Sequence, residues 1–334
     1  MIDRRAFIGA LVSGVLAAPL AAEGQQQAGK VYRVGTLFSA SREDAVPRIA
    51  ALERGLASLG YVAGQNVVFV HRYADDAKLT RVAELATELV QAGVDVVVTA
   101  TNPTTTAMMK VTSTVPIVMA VGVEPVSAGL VASITRPGGN VTGLTFDVDP
   151  AQLAGKRLGI LKELVPSLAR VGVLWNPTYG PGGLRFKGTE DAGRKLGIAV
   201  ISARVTEPGE LEPAFAELQR ARAQALIVMS DPMTAAQRQR KRIAELAASH
   251  RLPAIYALRE FVEAGGLSSY ATSLVDQYRR AAGYVDRILK GAKPGGLPVE
   301  QPTAFELWIN ARAARALGLT IPPSLLQRAD QVIE

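Results

Sequence analysis

From residue 30 onward, short apolar runs alternate with amphipathic stretches, a pattern that predicts alternating strands and helices. The segment 94–100 is apolar at nearly every position, so both faces of this strand must be covered. Strands of this kind separated by helices predict right-handed βαβ units around a parallel sheet. In the first half of the chain we predict strands at 31–38, 66–73, 94–100, 116–121 and 141–146, and helices at 48–59, 79–91, 104–112 and 125–134.

A second alternating series follows a break at Pro137-Gly138-Gly139-Asn140. Two series of similar size predict an α/β fold with two lobes and parallel sheets, and ligands bind such sheets beyond the carboxyl ends of the strands. The predicted strands are 170–175, 199–204, 225–229, 253–256 and 267–270. The predicted helices are 152–165, 183–196, 211–222, 235–250, 274–289 and 305–317.

The first two dozen residues have the order of parts found in a secretory signal peptide. Arg4 and Arg5 precede a modest apolar run at 10–20, which is too short to span a membrane, and small residues follow. The pattern Arg-Arg-x-Phe-Ile favours the twin-arginine route, with an ordinary secretory signal as the alternative. We therefore predict a signal peptide at 1–24, cleaved after Ala21, Ala22 or Gly24, and a soluble periplasmic protein.

The chain has 334 residues and no cysteine. This excludes a disulfide framework, thiolate chemistry and the cysteine-linked lipid anchor of bacterial lipoproteins. The net charge of +7 is scattered along the sequence, and no nucleic-acid motif accompanies it. We expect a monomer that binds no nucleic acid.

Short hydroxyl and amide side chains follow several predicted strands, often with proline at the next helix start. Such residues cap helices, and the same loops expose backbone N–H groups that suit a ligand carboxylate. Any one of them could serve only its own helix, but the set across two lobes favours a ligand cleft. The candidate ligand-binding residues are Ser39, Thr101, Thr104, Thr105, Thr106, Glu124, Asn176, Tyr179, Asp231 and Tyr256.

The sequence lacks the motifs of hydrolytic, redox and phosphate-binding enzymes. His71 and His250 fall on a predicted strand and at a helix end, away from the strand tips. Carboxylates do not cluster at metal-ligand spacing. We therefore expect binding without catalysis, no metal and no cofactor.

One run of charge, at 237–242, lies on a predicted helix with apolar Ile243 and Leu246. A solvated helix face is the favoured interpretation. A contact with a membrane permease or with anionic headgroups is the alternative.

Several segments together resemble the periplasmic substrate-binding proteins of ABC transporters, in particular the subfamily of tryptophan- and tyrosine-type binders. The resemblance covers essentially the whole chain after the leader. The segments that carry it are 32–35 (YRVG), 124–131 (EPVSAGLV), 136–143 (RPGGNVTG), 230–232 (SDP), 259–267 (REFVEAGGL) and 316–323 (ALGLTIPP).

This resemblance implies a type I binding-protein fold of two Rossmann-like lobes, joined by three crossovers near 145–146, 271–272 and 299–300. Lobe one would comprise 31–145 plus 272–299, and lobe two 146–271 plus 300–334. The implied function is capture of a small ligand, an amino acid or related carboxylate, in the interlobe cleft and delivery to an ABC permease in the inner membrane.

Within that frame every candidate except Glu124 takes a role. Thr101 and Thr104 to Thr106 would bind a carboxylate, and Ser39 would donate a hydrogen bond. Asn176 and Asp231 would hold an ammonium or polar group. Tyr179 and Tyr256 would wall off an apolar side chain. A sensor or scavenger without a transporter is the alternative function, and an exported enzyme on the same lobes is a less favoured one.

Overall fold

A computed structural model describes residues 30–75, 79–147 and 149–334. The predicted signal peptide at 1–24 lies outside these ranges. Within them, no helix combines the length and the apolar character needed to cross a membrane. The described residues are organised around two separate β-sheets.

The first sheet has five parallel strands in the order β2-β1-β3-β4-β5. All four residues of β3 are buried, as its continuous apolar sequence requires when helices cover both faces. Its strands are β1 Tyr32–Phe38, β2 Val67–Tyr73, β3 Val96–Thr99, β4 Ile117–Gly122 and β5 Val141–Thr145. The helices between them are α1 Arg42–Ala57, α2 Val82–Gln91 and α3 Asn102–Val111.

The second sheet has seven strands in the order β12-β11-β10-β9-β8-β6-β7, and all neighbours are parallel except β10 and β11. Its strands are β6 Arg170–Trp175, β7 Ala199–Arg204, β8 Ala225–Val228, β9 Ala254–Tyr256, β10 Ser268–Ala271, β11 Glu306–Asn310 and β12 Gln331–Ile333. The remaining helices are α4 Pro150–Leu164, α5 Gly182–Leu196, α6 Leu211–Arg220, α7 Gln237–Ser249, α8 Glu260–Glu263, α9 Leu274–Leu289, α10 Ala311–Ala316 and α11 Pro323–Arg328.

The chain passes between the two sheets at three places. It leaves the first sheet after β5, and it returns after β10 when α9 packs against α1. Glu300 then pairs with Leu144 of β5, donating its N–H to Gly143 and accepting from Thr145. The chain enters the second sheet again at β11. Because of these three passages, each sheet is covered by helices from two separate parts of the sequence.

Most predicted elements are present, but the predicted helix at 125–134 is wrong. The segment makes a single turn that ends at Gly129, whose φ is +68°. The N–H of Leu130 donates to the carbonyl of Pro125, a bond that closes helix ends rather than extending them. Glycine adopts this left-handed conformation without strain, and so the helical pattern stops there.

The predicted closing helix at 305–317 is also wrong. Residues 306–310 form β11, in which buried Leu307 and Ile309 alternate with Trp308. That two-residue period matches a strand, and β10 pairs with it. Asn310 then caps the short helix α10 by accepting from the N–H of Ala313. The helix is therefore one short segment following a strand.

Helix α1 begins at Arg42, six residues before its predicted start. Ser41 caps it, accepting from the N–H of Asp44 at 3.2 Å. Pro47 lies in the second turn of the helix, where it cannot donate the usual hydrogen bond to the carbonyl of Glu43. The extension matters because it brings the first turn of α1 to the mouth of a large cavity.

Candidate functional site

A cavity of about 860 Å³ lies where the carboxyl ends of the two sheets face each other. The first sheet contributes the loops after β1, β3, β4 and β5, and the second contributes those after β6, β8 and β9. Open α/β sheets bind ligands at this edge, because the loops there are free to carry side chains while the strands stay packed. The position agrees with the predicted cleft.

Four of the ten predicted residues line this cavity. They come from both sheets, two from each: Ser39, Thr101, Tyr179 and Asp231. Burial raises the pKa of Tyr179, so its phenol is neutral at physiological pH. The structure therefore brings a hydroxyl pair from one side to face a phenol and a carboxylate from the other.

Asp231 is the buried carboxylate of the cavity, with only 5% of its surface exposed. Its oxygens accept from the N–H of Met233 at 2.9 Å, from Thr234 Oγ1 at 2.9 Å and from Asn176 Nδ2 at 3.4 Å. Burial raises its pKa, and these hydrogen bonds oppose the rise. No cation pairs with it among the described residues, so a positively charged ligand group would find an unneutralised partner there.

Asn176 lies behind Asp231 and positions it. Its Oδ1 accepts from the N–H and the hydroxyl of Thr178, at 2.9 and 2.7 Å, which leaves Nδ2 directed at Asp231. Asn176 does not line the cavity itself. Its predicted direct contact with the ligand stays a prediction.

The hydroxyls of Thr104 and Thr105 point into their own loop. Thr104 Oγ1 accepts from the N–H of Thr101 at 2.9 Å and donates to its carbonyl at 2.8 Å. Thr105 Oγ1 lies 2.7 Å from Thr99 Oγ1. Both side chains are buried, whereas Thr106 is exposed to solvent. The structure places these three threonines around the start of α3 and not on the cavity surface.

Glu124 lies at the edge of the site with φ of +46°, and burial raises the pKa of its carboxyl. Its neighbour Val123 lines the cavity, and Asn102 holds that residue by hydrogen bonds to its N–H and carbonyl. Glu124 itself is half-buried and does not line the cavity.

Tyr256 is fully buried beneath the cavity loops and does not line the cavity. Its ring stacks on Phe261 with the centroids 4.6 Å apart. A side chain at Gly266 would meet this ring at 2.4 Å, so the glycine makes room for the tyrosine. The position is that of a core residue supporting β9 and α8.

Arg185 lines the cavity although the sequence did not single it out. Its Nε lies 2.9 Å from Asp147 Oδ2, with 5% and 3% of the two side chains exposed. Its Nη1 donates to the carbonyl of Ser230 at 3.0 Å. Nη2 of Arg185 and Oδ1 of Asp147 are buried and lack hydrogen-bond partners in the described part of the chain. A buried group left unpaired costs about 1–3 kcal/mol, so both atoms call for a partner.

One signal in the sequence could have found Arg185. It occupies the fourth position of α5, where the positive end of the helix dipole disfavours a cation. Local patterns that a fold contradicts are typical of functional positions. Arg185, a cation in the first turn of α5, is such a contradiction.

A second buried arginine, Arg157, serves the fold. Its Nε and Nη2 both donate to the carbonyl of Tyr270, at 3.1 and 3.0 Å. Burial lowers its pKa to about 10. It does not line the cavity, in contrast to Arg185.

The charge run at 237–242 is only partly a solvated face. Arg240 contacts Asp44 of α1 with 11% and 9% of the side chains exposed, and Arg242 pairs with Glu212. Arg238 and Gln239 line the cavity mouth together with Arg240. The run therefore joins the two sides of the cavity.

The two histidines lie away from the cavity. His71 contacts Thr36 Oγ1 at 2.8 Å and Glu53 at 3.4 Å, and its pKa is lowered, chiefly by burial. The ring of His250 packs against Phe215. Across residues 30–75, 79–147 and 149–334, no three histidine or acidic side chains are grouped so that they could hold a metal ion.

Comparison with known proteins gives one family. The model of the ABC transporter substrate binding protein family matches residues 41–333. A tyrosine-binding protein of Clostridioides difficile (strain R20291) is 24% identical over 268 residues, which are 80% of this chain and 75% of that protein.

Solved structures agree with this. An ABC domain from Streptococcus pneumonia in complex with L-Trp superposes with a TM-score of 0.83 at 27% identity, covering 91% of this chain and all of that one. A conserved domain protein from Vibrio cholerae O1 biovar El Tor gives the same TM-score, identity and coverage.

Proposed function

Because the chain belongs to the family of ABC transporter substrate-binding proteins, whose members bind substrates and are not enzymes, we propose that it is the solute-binding component of an importer. It captures a small ligand, an amino acid or a related carboxylate, between its two lobes. It then delivers that ligand to a permease in the inner membrane.

The cavity between the two sheets is the observation that carries this proposal. Its volume of about 860 Å³ suits a small molecule, and both sheets supply its walls. A ligand held there would contact both sides at once, so binding would favour the arrangement in which they are close together. The L-Trp complex of the streptococcal relative and the tyrosine-binding clostridial relative support an amino-acid ligand.

We assign lobe one to 31–145 plus 272–299 and lobe two to 146–271 plus 300–334. The membership of the two sheets, the packing of α9 on α1 and the pairing of Glu300 with Leu144 support this division. The three passages of the chain between the sheets would form the hinge. Rotation about such short connections would open and close the cavity without unfolding either lobe.

Within the cavity, Ser39 and Thr101 donate or accept hydrogen bonds from lobe one. Asp231, held by Asn176, binds the ligand ammonium from lobe two. Tyr179 forms an apolar wall with a polar tip. Buried Tyr256 supports the site from the core, without contact to the ligand.

We place the mature protein in the periplasm, exported by the leader at 1–24 and acting as a soluble monomer. The absence of cysteine from the sequence supports a form without a lipid anchor. Delivery to a permease requires the site to be open to the periplasm, where a free binding protein collects its ligand.

The test is to denature the purified protein, identify the released small molecule by mass spectrometry and measure its rebinding by isothermal titration calorimetry. A single amino acid or related carboxylate that rebinds at one site per chain is the expected result. Purified protein that carries and rebinds no small molecule contradicts the proposal.

A second experiment separates an importer from a sensor or scavenger. Proteoliposomes that contain a candidate ABC permease and its ATPase should take up the ligand only when the binding protein is present. Binding without such uptake would favour the sensor or scavenger.

A further inference from the structure

We infer that Arg185 is the anchor for the anionic group of the ligand, and that its Nη2 donates to a ligand carboxylate. This inference rests on the proposed function, and it assigns the carboxylate to a residue other than the threonines that the sequence favoured.

The guanidinium is fixed in place by two of its edges. Nε binds Asp147 and Nη1 binds the carbonyl of Ser230, so the planar group cannot rotate freely. The remaining Nη2 is buried and without a partner among the described residues, while Arg185 lines the cavity. A rigid, pre-oriented guanidinium with an unused donor is suited to a carboxylate.

The threonines of the α3 loop do not compete strongly for this role. The hydroxyls of Thr104 and Thr105 already bond within their own loop and are buried away from the cavity. Thr101 alone lines the cavity, and its hydroxyl is a neutral group. A guanidinium adds an opposite charge and a planar set of donors that matches a carboxylate, which favours Arg185 over a single neutral hydroxyl.

The neighbouring charges fit a ligand that carries both signs. Asp147 already neutralises part of Arg185, and buried Arg157 acts electrostatically on the same pair. Ser230, which holds Arg185, directly precedes Asp231, so the cationic and anionic groups of lobe two lie beside each other. One small ligand could thus place its carboxylate at Arg185 and its ammonium at Asp231.

The test compares free L-amino acids with their C-terminal amides, which keep the ammonium and lose the carboxylate. Twenty acid and amide pairs are screened by thermal shift, and the best acid is titrated by calorimetry. Wild-type protein should bind that acid roughly 100-fold more tightly than its amide. In Arg185→Met this ratio should fall to near one.

Two further variants protect the test against a folding defect. Arg185→Met combined with Asp147→Asn removes both charges, so no buried carboxylate is left unpaired. Arg72→Met removes an arginine that pairs with Glu88 outside the cavity, and it should leave the ratio of acid to amide affinity unchanged. Circular dichroism verifies that each variant is folded before titration.

Three results overturn the inference: equal binding of acid and amide by the wild type, an unchanged ratio in both Arg185 variants, or no binding of any acid. Failure of the proposed function would instead appear as purified protein that neither carries nor rebinds any small molecule. A neutral molecule released from the purified protein and taken up by proteoliposomes would refute the anchor and leave the solute-binding function standing.

Discussion

Asp44 on α1 accepts a 2.7 Å hydrogen bond from Nη2 of Arg240 on α7, and this ion pair joins the helices of one sheet to those of the other. Asp44 Oδ2 also accepts from the backbone N–H of Gln237 at 3.2 Å. Helix α7 starts after Ala236, whose side chain cannot cap it, so a carboxylate from the opposite side takes that position. The contact therefore connects the two sides of the cavity.

Removing this contact should weaken ligand binding by destabilising closure of the two lobes. Asp44→Ala or Arg240→Gln would destabilise the closed form by about 1–2 kcal/mol, since the pair is largely buried. Apparent affinity should then fall about 5- to 30-fold, because fewer molecules are closed. Calorimetry with the released ligand measures the change, and small-angle scattering of the ligand-free protein should show a more open shape.

Glu212→Gln is the matched control, because it breaks the exposed pair with Arg242 within the second sheet's own helices. It should leave affinity and shape unchanged. If the control and the Asp44 variant weaken binding equally, the ion pair has no specific part in closure.

Asp231→Asn should lower the affinity for an ammonium-bearing ligand at least about tenfold, since a neutral amide cannot balance that charge in a buried site. Calorimetry at neutral pH measures it. Asp149→Asn is a fair control, because this exposed residue caps α4 and asparagine caps equally well. Equal affinity in wild type and Asp231→Asn would remove Asp231 from the site.

The same residue should make binding depend on pH. Burial raises the pKa of Asp231 above its ordinary value, so acidification below neutrality protonates it earlier than a free aspartate. Only the charged form pairs with an ammonium, and affinity should therefore fall as pH falls through this raised pKa. Glu263 also lines the cavity with a raised pKa. The loss of the pH dependence in Asp231→Asn identifies the responsible group.

The contribution of Asp231 to the pH dependence of folding stability has the opposite sign from that of a salt-bridged carboxylate. Because the folded state holds the Asp231 proton more tightly than the unfolded state, this group destabilises the empty protein as pH rises through the raised pKa. Asp231→Asn should thus unfold at a higher temperature than wild type at neutral pH, and this difference should shrink on acidification. Calorimetric scans of the ligand-free proteins test it.

Gly55→Ala should test the close packing of α9 against α1. A Cβ at Gly55 would meet Ala282 Cβ at 2.7 Å and the carbonyl of Arg279 at 2.8 Å. Overpacking of this kind costs about 1–3 kcal/mol, more than the gain in helix propensity. Urea unfolding measures the loss. Gly283→Ala, on the same α9 with open space around it, should be neutral or stabilising.

Changing Arg4 and Arg5 together to lysine should stop export if the leader uses the twin-arginine route. The precursor would then accumulate in the cytoplasm, as cell fractionation and mass spectrometry of the N-terminus would reveal. Normal export of the double variant would assign the leader to the general secretory route.

The two-lobed α/β fold could be predicted because its strands are continuous apolar runs, and β3 is buried at every position as such a run requires. The predictions of a helix at 125–134 and of a helix at 305–317 were wrong for two different reasons. Gly129 ends the first after one turn, and the pairing of β11 with β10 overrides the helical propensity of the second. The alternation of Leu307, Trp308 and Ile309 is too short to distinguish this strand from a helix by local sequence alone.

The candidate site was predictable as a place and less so as a set of side chains. The predicted carboxyl ends of the strands gave the position of the cavity, because the order of strands and helices along the chain determines which loops lie at the same edge of a sheet. Which way a side chain points depends on its hydrogen bonds, and Thr104 turns inward to its own loop while Asp231 faces the cavity. Arg185 lies ten residues after the end of β6, in the first turn of α5 and outside the loops that the pattern singled out.

Asp44 accepts a hydrogen bond from the backbone N–H of Gln237 in the first turn of α7. The exchange of this amide therefore depends on whether the two lobes are close together. When the lobes separate, the N–H of Gln237 loses its acceptor and becomes open to exchange with deuterated water. Its exchange rate therefore reports the fraction of open molecules, with no attached probe. Any compound that slows this exchange is a candidate cargo, even before its chemical identity is known.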